Sequence, residues 1–228
     1  MTRKRTPILP RKTILISTAN AAIAAYFSRV RKDCRYVNMT VEYIPADSVE
    51  SFIKATGKAR IAGKYASAWA VFGLSDFNLE PADLEGLKDL AESRKVKLGW
   101  TTPNISMWLY LHLTKQAPNF FVENASQFDQ QIAKYFPGYK PTAEFMTGEG
   151  SEIHLKLFKF FAMAVNNASA YNKIAEKKNG VPATTFVELY DDIKEICGDA
   201  DLSHNNKVAN PVNNTHKNGK HYSDIQEG

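Results

Sequence analysis

Four short apolar runs, each followed by a helical stretch, occupy the first hundred or so residues, and that alternation constrains the fold most. The runs are Thr13–Ser17 (TILIS), Asn38–Pro45 (NMTVEYIP), Ser67–Phe72 (SAWAVF) and Val96–Trp100 (VKLGW). Between them lie the Ala-rich stretch Ala19–Val30, a stretch with Val49, Phe52 and Ile53 at helical spacing, and Pro81–Ser93 with Leu84, Leu87 and Leu90. Strand and helix in strict alternation imply parallel strands joined by crossover helices, with helices on both faces of the sheet. Thr13–Ser17 and Ser67–Phe72 are apolar throughout and carry no charge, as central strands buried on both faces require. They are expected side by side at the centre. Asp47 or Ser48 can cap the second helix, and proline suits the first turn of the third.

Beyond Asn104 the pattern turns helical. Ile105–Leu113 (ISMWLYLHL) is nearly all apolar, with Trp108 expected against the sheet. Asn124–Phe136 reads as a helix, Ile153–Ile174 as one long, heavily buried helix, and Phe186–Cys197 as a last helix capped by Pro182-Ala183-Thr184-Thr185. The organisation expected is a basic arm (1–11), an α/β domain (12–113), a helical extension packed on it (114–198) and a polar tail (199–228) with little fixed structure.

Composition excludes several function classes. With 228 residues the chain is long enough to bury a core without staples, and its two cysteines, Cys34 and Cys197, exclude a disulfide scaffold or a zinc site built from cysteine pairs. Neither cysteine has a histidine nearby in sequence, so both read as ordinary thiols. No apolar run reaches the length of a membrane span and no signal peptide is evident, so a soluble, cytoplasmic protein is expected, with no membrane partner. P-loop, dinucleotide-binding and G-x-S-x-G motifs are absent. His204, His216 and His221 fall in the polar tail and are expected to be solvated.

The net charge is +5, and residues 1–32 carry eight Lys and Arg without an acid before Asp33. Arg3, Lys4, Arg5, Arg11 and Lys12 form the densest part of this block. It suits phosphate-bearing partners, and it equally suits a solvated arm that aids solubility.

Ala68–Ser75 (AWAVFGLS), followed some 26 residues later by TTPNISMWLYLHL, resembles the RloB-like family. There the corresponding stretches run W-x-V-F-D-x-D and S-N-P-x-F-E-x-W-L-L-x-H. The opening ILISTANAAIAAYF resembles the family's I-L-I-x-x-E-G-x-x-T-E-x-x-Y-F. The Tyr139-Lys140 pair and the ending NNASAYNK…NGVPATTFVELYDDI fit the family's later blocks, so the resemblance covers about residues 12–195. It implies a Toprim/Rossmann-like α/β domain in a bacterial anti-phage or mobile-element setting, often beside an ATPase gene.

A Toprim centre holds Mg²⁺ on paired aspartates, with a glutamate after the first strand. In this chain those acid positions fall on Thr18, Gly73, Ser75 and Ser106, while the apolar frame and His112 persist. The resemblance therefore implies a catalytically dead relative with no cofactor or metal, acting on nucleic acid or a protein partner such as a defence ATPase. A divergent Mg²⁺-dependent nuclease using Asp76 and Glu80 is the alternative, and a structural protein-interaction subunit is a third. His112, on an apolar helix, reads as a structural histidine, and as a base under the nuclease alternative. Thr18-Ala19-Asn20 joins the first strand to the first helix, where an open α/β sheet binds ligands. With the acids gone, Thr18 and Asn20 are expected to accept a phosphate there, assisted by Arg11, Lys12 and the arm.

Overall fold

A computed structural model describes residues 11–205. In chain order its elements are β1 (Ile14–Thr18), α1 (Ala21–Asp33), β2 (Met39–Tyr43), α2 (Val49–Ala62), β3 (Ser67–Gly73), α3 (Asp83–Arg94) and β4 (Lys97–Thr101). There follow α4 (Ile105–Leu111), α5 (Ala125–Ala133), α6 (Ala143–Thr147), α7 (Ile153–Phe158), α8 (Phe161–Asn179) and α9 (Phe186–Cys197). A single 3₁₀ turn, Leu74–Asp76, links β3 towards α3. The four strands form one parallel sheet in the order β2-β1-β3-β4. The two uncharged apolar strands, β1 and β3, are the central pair, as their composition demands.

The pleat sends alternate side chains to opposite faces. On one face Ile14, Ile16, Trp69 and Val71 meet α1 and the helices from α4 onward, including Trp108, Tyr171, Phe186 and Leu189. On the other, Ala70, Phe72, Leu98 and Trp100 pack against Phe52, Ile53, Leu84 and Leu87 of α2 and α3. Trp108 is fully buried, stacked on Tyr190 at 5.5 Å between ring centroids and edge-on or tilted to His112, Phe161 and Phe186. Ser48 caps α2 in a reciprocal pair with Ser51.

The helix expected over Ile153–Ile174 is broken at Lys159-Phe160 into α7 and α8. α7 buries Ile153, His154, Leu155 and Leu157, most of its circumference, whereas α8 buries one stripe, Ala164, Ala168, Tyr171 and Ala175, so the two segments meet their neighbours differently. Phe158, Phe160, Phe161 and Met163, expected in the core with Leu155 and Leu157, are only half-buried. The five-residue helix α6, capped by Thr142, was not anticipated.

Residues 182–185 do more than cap α9. They run antiparallel along β4, with Thr102 N–H donating to the Ala183 carbonyl (2.8 Å) and Thr185 N–H to that of Trp100 (3.1 Å). Thr185 makes no side-chain cap bond; its hydroxyl donates to the Leu98 carbonyl and accepts from Trp100 N–H. The segment thereby covers one edge of the sheet. The start of the expected tail is also fastened: Asp201 N–H donates to the Cys34 carbonyl (3.2 Å) and Leu202 packs on the core.

Asp192 ties α9 to the sheet. Its carboxylate accepts from Ser67 Oγ (2.5 Å), Trp69 Nε1 (2.6 Å) and Lys97 Nζ (3.0 Å). Burial alone would raise its pKa, but those three donors hold it below the usual carboxylate range. Asp192→Ala strands the Ser67 and Trp69 donors and is expected to cost about 2–4 kcal/mol in denaturant melts. A folded-state pKa below the unfolded value stabilises at neutral pH. That contribution is lost as pH falls through and below about 4. The gap between wild type and Asp192→Ala should therefore close in melts taken towards pH 2.

Candidate functional site

The carboxyl ends of β1 and β3 open on a crevice of about 370 Å³, lined by Asn20, Asp76, Thr142 and Glu144 among others. Thr18 ends β1, fully buried, and its hydroxyl accepts from Asn20 N–H at 3.1 Å. Asn20 caps α1: its Oδ1 accepts from Ala22 N–H (2.8 Å) and Ile23 N–H (3.3 Å). Its Nδ2 donates to Asp76 Oδ1 at 2.7 Å. The side chain thus occupies the first-turn N–H groups that an incoming phosphate would use. Among the described residues no Lys or Arg lines the crevice, whereas Asp76 and Glu144 do.

The other degenerate positions are equally engaged. Gly73 N–H donates to Asp76 Oδ2 (2.7 Å), so both oxygens of Asp76 are hydrogen-bonded within the protein. Burial still pushes the Asp76 carboxyl above its ordinary pKa, partly offset by those two bonds. A Cβ on Gly73 would stand 2.8 Å from Asn104 Cα and 3.0 Å from the Pro103 carbonyl oxygen. The loop after β4 therefore fills the space an aspartate at 73 would need. Ser75 is exposed, with its N–H on the Pro103 carbonyl (3.0 Å). Ser106 is fully buried, and its hydroxyl shares a hydrogen bond with the Tyr139 hydroxyl at 2.8 Å.

Mg²⁺ demands near-octahedral oxygen ligation with little distortion. To contribute, Asp76 would have to release the Asn20 amide and the Gly73 N–H, loosening the cap of α1 and the turn after β3. The residues present do not fit such a centre, and among the described residues no group of three or more His, Cys, Asp and Glu converges on a point. Glu80 is exposed at the entry to α3, its N–H on the Asp83 carboxylate (2.8 Å), and it is not among the lining residues.

Arg11 and Lys12 precede β1, whereas Thr18 and Asn20 follow it. Five strand residues at about 3.3 Å each put some 16 Å between the two sets. Lys12 lies instead 3.9 Å from Glu195, an exposed pair. The structure does not bring the basic and crevice parts of the expected phosphate site together. Arg3, Lys4 and Arg5 lie outside the described residues, as do His216 and His221, while His204 is exposed. His112 is buried, with Nδ1–H donating to the Trp108 carbonyl (2.9 Å), and burial lowers its pKa to about 4. It is neutral at physiological pH and pinned to its own helix.

Two groups escaped sequence reasoning. Glu144, carried to the crevice by α6, has no motif to mark it, and neither has Asp129 on α5, which bonds Ser106 and whose carboxyl burial raises. Elsewhere Cys34 meets a histidine 120 residues away: His154 Nε2 stands 4.0 Å from its sulfur, and His154 Nδ1 stands 3.2 Å from Asp33 Oδ2. The residue types match a cysteine–histidine–aspartate relay, but burial pushes the Cys34 thiol up to about 12 and only 2% of the residue is exposed. A thiol so protonated and enclosed is packing, not a nucleophile.

No helix among the described residues is long and apolar enough to cross a membrane. No curated protein and no solved structure matches the chain. The family model described as RloB-like protein matches residues 20–193, a span that begins two residues after Thr18 and takes in Asn20 and Asp76 of the crevice, the end of β3 and the segment along β4. The chain belongs to the RloB-like family.

Proposed function

We propose that this chain is a catalytically inactive, Toprim-type RloB-like protein that acts by binding nucleic acid or a protein partner. The observation that carries the reading is at Gly73, where backbone atoms of Asn104 and Pro103 occupy the space a metal-binding aspartate needs. The wiring of Thr18, Asp76 and Ser106 into internal hydrogen bonds supports it, because none is left to take a metal or a proton from substrate. By resemblance, a bacterial anti-phage or mobile-element system is the setting proposed, with a defence ATPase as a partner class.

One observation favours a second reading. Asp76 and Glu144 both line the crevice, so a divergent Mg²⁺-dependent nuclease would use Glu144 in place of Glu80 beside Asp76. Purified protein with Mg²⁺ or Mn²⁺ is expected to leave single- and double-stranded DNA and RNA intact. Turnover that disappears in Asp76→Ala and Glu144→Gln would overturn the inactive reading in favour of the nuclease.

A further inference from the structure

The rim of the sheet opposite the crevice, where all four strands begin, carries a row of cations in register with the strands. In the order β2-β1-β3-β4 the strands are preceded by Arg35, Lys12, Lys64 and Lys95, and Lys97 opens β4. All five side chains belong to exposed residues. Ile14 is registered with Met39 and Ser67, so β1, β2 and β3 begin level, and Lys97, registered with Trp69, stands two residues further along.

Three of these cations occupy positions where lysine and arginine are unfavourable. α1, α2 and α3 each end in the same paired bonds, the left-handed residue to the carbonyl two positions inside the helix and its successor to the one before that. The pairs are Arg35 N–H to Lys32 and Tyr36 N–H to Arg31, then Lys64 to Ile61 and Tyr65 to Arg60, then Lys95 to Glu92 and Val96 to Ala91. The left-handed residue in each is basic: Arg35 (φ 55°), Lys64 (φ 54°) and Lys95 (φ 53°). Glycine or asparagine is the low-cost occupant of that conformation, and the chain uses glycine after α8 and α9, at Gly180 (φ 77°) and Gly198 (φ 85°). A cation does complement a helix carboxyl end. That does not account for Lys12, which lies on no helix, whereas Lys97 also holds the Asp192 carboxylate.

The opposite rim has the opposite sign. The first turns of α2, α3, α6 and α9 carry Glu50, Asp83 with Glu85, Glu144 and Glu188. Glu195, Asp201 and Asp192 pair with Lys12, Arg35 and Lys97 at the basic rim, and Asp199 pairs with Lys194 nearby. The first two pairs are solvent-exposed and weak enough to yield to a competing anion. Lys64 and Lys95 form no ion pair among the described residues.

We infer that this amino-end rim, not the crevice, is a docking surface for a nucleic-acid phosphodiester backbone. The amino ends of four neighbouring strands span about 14 Å at the usual spacing, with Arg35 at the end of α1 on one face and Lys64 and Lys95 at the ends of α2 and α3 on the other. Five such cations offer about four phosphate contacts. Arg11, also exposed, precedes Lys12 and β1 at this rim. Exposed Val37 and Ile61 flank the row and suit sugar faces rather than base edges. The inference rests on the binding reading above and names its partner, but it does not depend on the loss of catalysis.

Anisotropy of a fluorescein-labelled mixed-sequence DNA duplex tests it, with the full chain in EDTA. Between about 50 and 200 mM salt, affinity should fall roughly a hundredfold, a log–log slope of about −3.5 or steeper. Lys64→Gly/Lys95→Gly should flatten the slope by about two and weaken binding at least tenfold near 100 mM, while its Tm stays level or rises because the left-handed strain is relieved. Lys64→Asn/Lys95→Asn gives the same readout with side chains retained. Unchanged slope and affinity in both variants would sink the rim, as would absence of binding at about 50 mM salt. Binding confined to phosphatidylserine vesicles, with none to the duplex, would sink it in favour of a lipid surface. Cleavage of the same probe on adding Mg²⁺ would overturn the inactive reading while leaving the rim untouched.

Discussion

Gly73→Asp, which puts an aspartate where the family resemblance expects one, is expected to destabilise the protein by about 3 kcal/mol and to create no nuclease. The new Cβ meets the backbone of residues 103 and 104 at 3.0 Å or less, and backbone cannot rotate away as a side-chain tip can. Overpacking of this kind costs about 1–3 kcal/mol, and a second carboxylate beside Asp76 in a buried corner adds the cost of an uncompensated charge. Urea unfolding of wild type and variant measures the loss directly. The informative outcome is the combination with Ser75→Asp. If the double variant folds with wild-type stability and cuts nucleic acid with Mg²⁺, the crevice retains more of a metal centre than its geometry allows.

Trp108→Ala should be more damaging, at about 3–5 kcal/mol, the range for deleting a buried aromatic. Its ring lies among Tyr190, Phe186, Phe161 and His112, so the cavity would open between α4, α8 and α9. None of those neighbours can collapse into it without leaving the sheet. Trp108→Phe, which keeps a ring, should recover about half of the loss. A Trp108→Ala variant that melts within about 1 kcal/mol of wild type would mean that these helices hold to the sheet by other contacts.

The parallel sheet and its central pair were legible because an uncharged, β-branched run such as TILIS has little to do except lie between two layers. The break at Lys159-Phe160 was not, because Phe158, Phe160 and Phe161 continue an apolar run without a glycine or proline to mark the turn. The separation of Arg11 and Lys12 from Asn20 is carried by no motif: residues on either side of a strand are close in sequence and a strand's length apart in space. The positions where the resemblance expects acids were visible only through it. Their surroundings were not visible at all, since the Asn104 backbone against Gly73, Tyr139 against Ser106 and Glu144 on the crevice are all contacts across long loops. The cations of the amino-end rim were present in the sequence as five scattered basic residues. They came to one rim only once three helix ends took the same left-handed turn.

The strip formed by residues 182–185 along β4 sets a timetable for biosynthesis. A ribosome delivers all four strands by Thr101, but the last of them keeps unpaired groups at Trp100 and Thr102 until about eighty more residues have emerged. During that interval the nascent sheet has a bare flank with Trp100 and Leu98 beside it, the kind of edge on which strands from neighbouring chains assemble. A stop codon or a protease cut just ahead of Pro182 would make the interval permanent. Such a fragment should accumulate in inclusion bodies or need a chaperone, although every strand of the sheet is present in it.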